Sequence, residues 1–207
     1  MHVAIPLYPR FTALDAVGPY TVLAFAPGWR VTFVAAEPGP VVDDCGSLSL
    51  VATSGFGDLP HPDVVLVPGG PGTEQALADP ALLQWLAAAH ERSDWTTSVC
   101  SGSLILGAAG ILTGNSATCH WGWRNLLPLF GAVPVDERIV VSGKVMTAAG
   151  VSAGIDLALS MLGQVADEVT ARTVQLAIEY DPQPPFDSGD ASRADESLKR
   201  AALALIR

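Results

Sequence analysis

Residues 95–109 read WTTSVCSGSLILGAA, and this stretch indicates the fold class of the 207-residue chain. The first five residues, Trp95–Val99, predict a buried strand, and the apolar, Gly- and Ala-rich run Leu104–Ala109 predicts a helix. The small residues between them, from Cys100 to Ser103, form the turn. A buried strand that passes through small residues into a helix is typical of a nucleophile elbow, which lifts one side chain above the sheet. That side chain here is Cys100.

Cys100 is therefore the first candidate nucleophile. A helix N-terminus presents unpaired N–H groups and a positive dipole end, which favour a thiolate. The alternative is that Cys100 is a small buried apolar residue, as most free cysteines are. Cys45 and Cys119 lack the strand–turn–helix context, and we interpret both as ordinary residues.

The rest of the chain alternates strands and helices. Asp63–Val67 is a continuous apolar run, which is typical of a strand buried on both faces of a parallel sheet. The other predicted strands are His2–Leu7, Trp29–Ala36, a hairpin over Pro40–Thr53, and Val133–Val141 with Lys144–Ala148 meeting at Ser142-Gly143. The predicted helices are Leu14–Ala26, Pro80–Glu91, Trp121–Leu129, Val151–Val165, Asp167–Glu179 and Arg193–Ile206. This order predicts one α/β domain over residues 1–207, with a mostly parallel sheet and its site at the carboxyl ends of the strands.

Composition excludes several classes of function. Apolar residues make up 49% of the chain, which argues against disorder. Charged residues make up only 15%, and the net charge of −10 disfavours nucleic acids and acidic membrane surfaces as partners. The large apolar fraction and the low charge suggest that the chain buries more surface than a monomer of this size needs, which favours an oligomer. The chain starts without a signal-peptide pattern, and its apolar runs are too short to span a membrane. Its three cysteines have no zinc-site spacing, so we expect reduced thiols in the cytoplasm and no metal.

Two further strand ends supply candidate partners for Cys100. The loop Pro68-Gly69-Gly70 follows the strand Asp63–Val67, and the amide of Gly70, together with that of Ser101, is positioned to face an anion developing beside the thiol. Alternatively the loop is a simple strand-to-helix turn; a phosphate loop is disfavoured because no Lys follows at the required spacing. Asp15 is either a helix N-cap or a carboxyl group that delivers a proton near Cys100.

His120 is the remaining candidate for the site. It lies in the segment Ala117–Trp123, twenty residues after Cys100. A Cys–His pair would activate the thiol. Local packing of the imidazole beside Trp121 and Trp123 is the competing interpretation. The acidic pair Asp43-Asp44 is interpreted as a hairpin turn rather than a metal site.

These motifs together resemble the ThiJ/PfpI superfamily, and within it the isonitrile hydratase branch. The resemblance covers almost the whole chain in order. The segments that carry it are Asp15–Pro19, Pro68–Gly70, Ser98–Leu104, Ala117–Trp121 and Glu179–Phe186. The cysteine elbow marks the superfamily, whereas the Asp-x-x-Gly-Pro segment and the Tyr-Asp-Pro-Gln-Pro-Pro-Phe segment are more specific to the branch.

The resemblance implies a flavodoxin-like three-layer sandwich, a homodimer, and no metal or organic cofactor. It maps the nucleophile to Cys100 and the acid/base to Asp15. Ser101 stands where the family typically has Thr, and Cys119 where it often has Thr or Ser. The implied substrate is a small neutral isonitrile, which needs no basic binding residues. Cys100 would attack the terminal carbon to give a thioimidate, and water would then release an N-substituted formamide.

Other activities are compatible with the same resemblance. Glyoxalase, deglycase and peptidase activities would use the same cysteine, although a peptidase needs an orienting acid for His120, and the sequence offers no obvious one. A non-enzymatic ligand sensor is the next alternative, because the fold also serves as the sensing half of some AraC-like regulators. The acidic segment Val151–Arg207 argues against a DNA-reading half in this chain. A redox or chaperone role through Cys100 is a further alternative.

Overall fold

The computed structural model describes residues 1–206, and these form a sheet between two layers of helices. The strands are β1 (His2–Pro6), β2 (Arg30–Ala35), β3 (Gly39–Val42), β4 (Ser49–Ala52), β5 (Ser54–Gly55), β6 (Val64–Val67), β7 (Trp95–Val99), β8 (Ser116–Ala117), β9 (Val133–Pro134), β10 (Ile139–Ser142) and β11 (Val145–Ala148). The main sheet has the order β10-β11-β7-β6-β1-β2-β5. Every pairing in it is parallel except that of β10 with β11.

The helices cover both faces of this sheet. They are α1 (Ala13–Ala24), α2 (Thr73–Ala76), α3 (Pro80–Arg92), α4 (Gly102–Ala108), α5 (Ala153–Val165), α6 (Glu168–Ala177) and α7 (Glu196–Leu205). Helices α1 and α5 pack against each other, with α6 outside α5, while α3 and α4 pack together beside β6. Strands β6 and β7 are buried almost throughout because both of their faces are covered. The α/β sandwich with a mostly parallel sheet is therefore confirmed.

Two predicted elements differ from the structure. The helix expected over Trp121–Leu129 is a 3₁₀ helix, Arg124–Phe130, because in an α-helix the ring of Pro128 would clash with the carbonyl four residues earlier. The strand expected over Val133–Val141 splits in two. Its first residues pair as β9 with β8 outside the main sheet, and only Ile139–Ser142 reaches β11, across the predicted turn. The predicted hairpin over Pro40–Thr53 is present as β3 and β4.

The C-terminal part after α6 is only loosely attached to the sandwich. Tyr180 donates a hydrogen bond from its hydroxyl to Asp156 Oδ1 at 3.0 Å, and the residues that follow, up to α7, are mostly exposed. Helix α7 itself contains no buried residue. Among the described residues, no helix has both the length and the apolar character that a membrane crossing requires.

The topology brings three chain segments to one edge of the sheet. Strands β1, β6 and β7 are neighbours in parallel register, so their carboxyl ends lie side by side. Tyr8, the Pro68-Gly69-Gly70 loop and Cys100 follow these ends, and the first turn of α1 folds back over them. The segments that the sequence marked for chemistry thus meet at one place.

Candidate active site

Cys100 lies at the turn between β7 and α4 in a left-handed backbone conformation, with φ of 58°. Its N–H donates to the carbonyl of Ala149 at 2.8 Å, which holds the elbow against the end of β11. Two residues further on, position 102 requires a glycine, because a Cβ there would lie 2.9 Å from the carbonyl oxygen of Pro68. The strand–turn–helix arrangement expected from the sequence is present. It holds Cys100 in a strained left-handed conformation that non-glycine residues rarely adopt.

The Asp15 carboxyl group is fully buried beside the Cys100 thiol. Its Oδ2 atom accepts a hydrogen bond from the Gly69 N–H at 2.8 Å. Its Oδ1 atom has no hydrogen bond of regular geometry within residues 1–206, although the carboxyl lies close enough to the thiol to interact with it. Burial raises the pKa of Asp15 from 3.8 to about 7, and the contacts with Gly69 and Cys100 oppose that rise. Asp15 is therefore poised to exchange a proton near neutral pH.

The environment of the Cys100 thiol differs from the sequence-based expectation of a thiolate. Burial, with the nearby Asp15 carboxyl as the second cause, raises the pKa of Cys100 well above its usual value. The backbone N–H groups of Ser101 and Val151 act in the opposite direction but do not outweigh the burial. The resting thiol consequently carries its proton, because dehydration outweighs the short helix α4.

The side chain of Ser101 contacts the glycine loop. Its Oγ accepts a hydrogen bond from the Gly70 N–H at 3.0 Å and lies 2.8 Å from Thr73 Oγ1. The Gly70 amide is thus occupied by Ser101, and this arrangement contradicts the expectation that it faces an anion beside the thiol. The Gly69 amide is likewise occupied, by Asp15. The N–H groups directed at the Cys100 sulfur belong instead to Ser101 and Val151.

His120 is buried but makes its side-chain hydrogen bond locally. Its Nδ1 accepts from the Gly122 N–H at 3.1 Å, and its ring lies between Trp121 and Trp123, with centroid distances of 5.3 and 5.0 Å. Burial lowers the pKa of His120 to about 4. Within the described residues, His120 makes no hydrogen bond to Cys100. The local-packing interpretation is therefore the one that the geometry supports.

The other cysteines occupy contrasting environments. Cys119 is fully buried near Cys100, and burial raises its pKa to about 11. Cys45 is exposed in the β3–β4 hairpin, where the Asp44 carboxylate raises its pKa. The ligand atoms of Asp43, Asp44 and Cys45 all lie within 4.8 Å of one another. Asp43 Oδ1 accepts the N–H groups of the hairpin turn, so the interpretation of this segment as turn chemistry agrees with the structure.

Several residues of the site had not been identified from the sequence. Gly69 orients Asp15, Thr73 contacts Ser101, and Tyr8 donates its hydroxyl proton to the carbonyl of Pro68 at 2.8 Å. The position of Tyr8 directly after the first strand was a usable signal, because the carboxyl ends of parallel strands share one edge. Thr73 and Val151 carry no comparable signal, since only the fold brings Thr73 to Ser101 and the Val151 N–H to the thiol.

Known proteins resemble this chain in sequence and in fold. A model of the DJ-1/PfpI family matches residues 1–164. The chain is 42% identical to the isonitrile hydratase of Pseudomonas putida over 99% of its own length and 92% of that protein. It superposes with a TM-score of 0.94 on a ThiJ/PfpI family protein from Pseudomonas syringae, at 40% identity, covering 99% of this chain and 85% of that one.

More distant proteins share the architecture. Drosophila melanogaster DJ-1beta has a TM-score of 0.78 at 18% identity, over 87% of this chain and 98% of its own, which indicates the fold alone. The expected flavodoxin-like sandwich agrees with these superpositions. The family match covers more than half of the chain, and the Pseudomonas putida relative is similar over almost all of it. The chain belongs to the DJ-1/PfpI family.

Proposed function

We propose that this protein is an isonitrile hydratase, which adds water to R–N≡C and forms an N-substituted formamide. The observation that carries the proposal is the buried Asp15 carboxyl beside the Cys100 thiol. The similarity to the Pseudomonas putida isonitrile hydratase supports the same reaction. Both groups are buried, and no metal or organic cofactor takes part in the proposed route.

An isonitrile suits this pair because its terminal carbon accepts a nucleophile and a proton at the same atom. A thiol beside a carboxyl group supplies both from one side. The pKa of Asp15, at about 7, lets the carboxyl take up and return a proton at neutral pH. The thiol is a poor nucleophile while it is protonated, so the carboxyl must first act as its base.

The first half of the reaction forms a covalent intermediate. The Cys100 proton moves to the Asp15 carboxylate, and the sulfur attacks the isonitrile carbon. Asp15 returns the proton to that carbon, which gives the thioimidate R–N=CH–S–Cys100. The N–H groups of Ser101 and Val151 point at the sulfur and stabilise the transient thiolate.

The second half releases the product. The Asp15 carboxylate removes a proton from a water molecule, whose oxygen adds to the thioimidate carbon. Asp15 passes that proton to the nitrogen, giving R–NH–CH(OH)–S–Cys100. The hydroxyl proton then returns to Asp15 as the C–S bond breaks, and R–NH–CHO leaves. The pair again shares one proton, so atoms and charges balance over the cycle.

The roles of the other site residues follow from their contacts. Ser101 is the hydroxyl residue beside the reacting sulfur, and we assign it to the catalytic group with Cys100 and Asp15. Gly70 acts through Ser101, because its N–H donates to the Ser101 hydroxyl. The neutral ring of His120 lies against Gly150, since a Cβ at Gly150 would lie 2.8 Å from its Cδ2 atom. We assign it to the lining of the substrate site.

We also propose that the protein works as a homodimer in the cytoplasm. Large apolar side chains on α6 and in the C-terminal segment are exposed in the single chain, among them Val169, Leu176 and Phe186. Burial of such residues against a second copy would stabilise the assembly. The three free cysteines suit a reducing compartment. Analytical ultracentrifugation at micromolar protein tests the assembly, and a monomer there would refute the dimer.

The activity is tested by mixing the purified protein with cyclohexyl isocyanide and following the formamide by chromatography. Wild-type protein should form the product, and Cys100→Ala should lose at least about a thousandfold in rate. Cys45→Ala is the matched control, because that thiol is exposed in the hairpin, and it should keep the wild-type rate. Inactive wild type, or an active Cys100→Ala, would refute the proposal. Methylglyoxal in a parallel assay distinguishes a glyoxalase.

A further inference from the structure

Three buried hydroxyl groups form a hydrogen-bonded chain that begins at Ser101, the residue after Cys100. Ser101 Oγ lies 2.8 Å from Thr73 Oγ1, which lies 3.4 Å from the Tyr8 hydroxyl. The Tyr8 hydroxyl in turn lies 2.8 Å from the carbonyl oxygen of Pro68. Ser101, Thr73 and Tyr8 are 4%, 6% and 5% exposed, so their hydroxyl groups depend mainly on one another for hydrogen bonds.

The contacts among the three side chains and the carbonyl of Pro68 can all form in only one direction of donation. The carbonyl of Pro68 has no proton, so Tyr8 donates to it, and the Tyr8 oxygen is left to accept from Thr73. Because Thr73 has one proton, its oxygen must then accept from Ser101. In the reverse direction no proton would lie between Thr73 and Tyr8.

This direction determines what Ser101 offers to a substrate. Its proton points to Thr73 Oγ1 at 2.8 Å in preference to the Gly70 carbonyl oxygen at 3.5 Å, and one lone pair accepts the Gly70 N–H at 3.0 Å. One lone pair remains, so Ser101 can accept a further hydrogen bond and has no proton left to donate. The hydration step needs such an acceptor, because the attacking water has a second O–H and the product has an N–H.

We propose that Thr73 and Tyr8 are positioning residues, which hold the Ser101 hydroxyl as an acceptor for the attacking water. This inference rests on the proposed isonitrile hydration. Thr73 and Tyr8 do not themselves touch the reacting atoms; they act through Ser101. Their removal should therefore lower kcat and KM together and leave kcat/KM nearly unchanged, since these hydroxyl groups act on the water of the second half-reaction and not on the isonitrile.

The first test is steady-state kinetics with cyclohexyl isocyanide. Thr73→Val and Tyr8→Phe should each lower kcat about tenfold, which corresponds to the loss of one hydrogen bond, with kcat/KM changed less than about twofold. Thr73→Ser keeps the hydroxyl and should restore kcat. Thr97→Val is the matched control. Thr97 is a buried threonine whose hydroxyl donates to the carbonyl of Val65 at 3.0 Å and takes no part in the hydrogen bonds of Ser101, Thr73 and Tyr8. It should keep the wild-type kcat.

The second test separates positioning from a general loss of structure. In a Ser101→Ala background, Thr73→Val should lower kcat no further, because the residue through which it acts is gone. A further tenfold loss in that background would overturn the proposal. A wild-type kcat in Thr73→Val would overturn it as well.

The third test does not depend on activity. In a crystal structure of Thr73→Val, the Ser101 side chain should leave the rotamer that accepts the Gly70 N–H or occupy two rotamers, whereas in Thr97→Val it should keep that single rotamer. A single unchanged rotamer in Thr73→Val would refute the positioning role. An inactive wild-type protein would refute the proposed hydration, and this structural comparison would still decide whether Thr73 positions Ser101.

Discussion

The Asp15 carboxyl lies beside the Cys100 thiol in one buried unit, although 85 positions separate the two residues in the sequence. Asp15 is fixed on its other oxygen by the Gly69 N–H at 2.8 Å. Burial raises the pKa of both groups, so each prefers its neutral form. The unit therefore holds a proton that can move between oxygen and sulfur, which is the requirement of the proposed chemistry.

The rate of isonitrile hydration should rise with pH through about 7 and then level off. Below this pH both Asp15 and Cys100 are protonated, so Asp15 cannot take the thiol proton. Above it Asp15 has lost its proton and the two groups hold one between them. Asp15→Asn should lose about 10²-fold to 10⁴-fold in kcat and lose this dependence. His120→Gln should keep the dependence, because the pKa of His120 is about 4. A pH–rate profile measures all three, and an Asp15→Asn enzyme of full rate would exclude the acid/base role.

The contribution of Asp15 to the stability of the protein should fall as pH rises from about 4 to 7, whereas the lowered pKa of His120 acts in the opposite direction over part of that range. A buried carboxyl whose pKa is raised from 3.8 to about 7 binds a proton in the folded state that the unfolded chain has released. The contribution of this bound proton to the free energy of unfolding is complete below pH 3.8 and is lost as the pH rises through about 7. Its size is on the order of a few kcal/mol. Urea denaturation at several pH values measures the slope of stability against pH, and Asp15→Asn should shift that slope toward a rise with pH relative to wild type.

The control for that slope is Asp167→Asn. Hydrogen bonds from Thr170 lower the pKa of this exposed N-cap carboxyl, so its contribution is present above the unfolded value and is lost as pH falls. Asp167→Asn should therefore destabilise the protein at neutral pH and leave the slope between pH 4 and 7 unchanged. Equal slopes in wild type and Asp15→Asn would contradict the assignment of a raised pKa.

The thiols should react at very different rates. Cys45 is exposed, whereas Cys100 and Cys119 are buried and burial raises their pKa values. Titration with a thiol-specific disulfide reagent at pH 7 should show one fast thiol in the native protein and three in denaturant. Cys45→Ala should remove the fast phase. A fast phase that disappears instead in Cys100→Ala would indicate a resting thiolate.

Gly69→Ala should disable the site. A Cβ at Gly69 would lie 2.5 Å from the Ser101 nitrogen and 3.0 Å from Cys100 Cβ, so the loop must move away from both Asp15 and Ser101. The cost in stability should be about 1–3 kcal/mol, with activity reduced at least about tenfold.

Gly57→Ala is the matched control for that substitution, because nothing lies within 4 Å of the added Cβ. Its effect on the free energy of unfolding should stay within about 0.5 kcal/mol. Thermal denaturation together with the formamide assay measures both variants. Retention of the wild-type rate in Gly69→Ala would show that the loop does not hold the site.

The sequence by itself determined the elements and the class of the fold. Continuous apolar runs such as Val64–Val67 indicated two-sided strands, and the small residues after Trp95–Val99 indicated the elbow at Cys100. These signals are local, because side-chain periodicity and backbone freedom act over a few residues. The same local reasoning failed at Arg124–Phe130, where Pro128 and tertiary contacts produce a 3₁₀ helix.

Only the tertiary structure decided the chemistry of the site. Burial depends on what lies above a residue, so the protonated state of the Cys100 thiol and the pKa of Asp15 required the packed sandwich. The occupation of the Gly70 amide by Ser101 likewise depends on loop packing. The sequence placed reactive groups at the ends of strands, and the fold determined which groups meet and how dry their surroundings are.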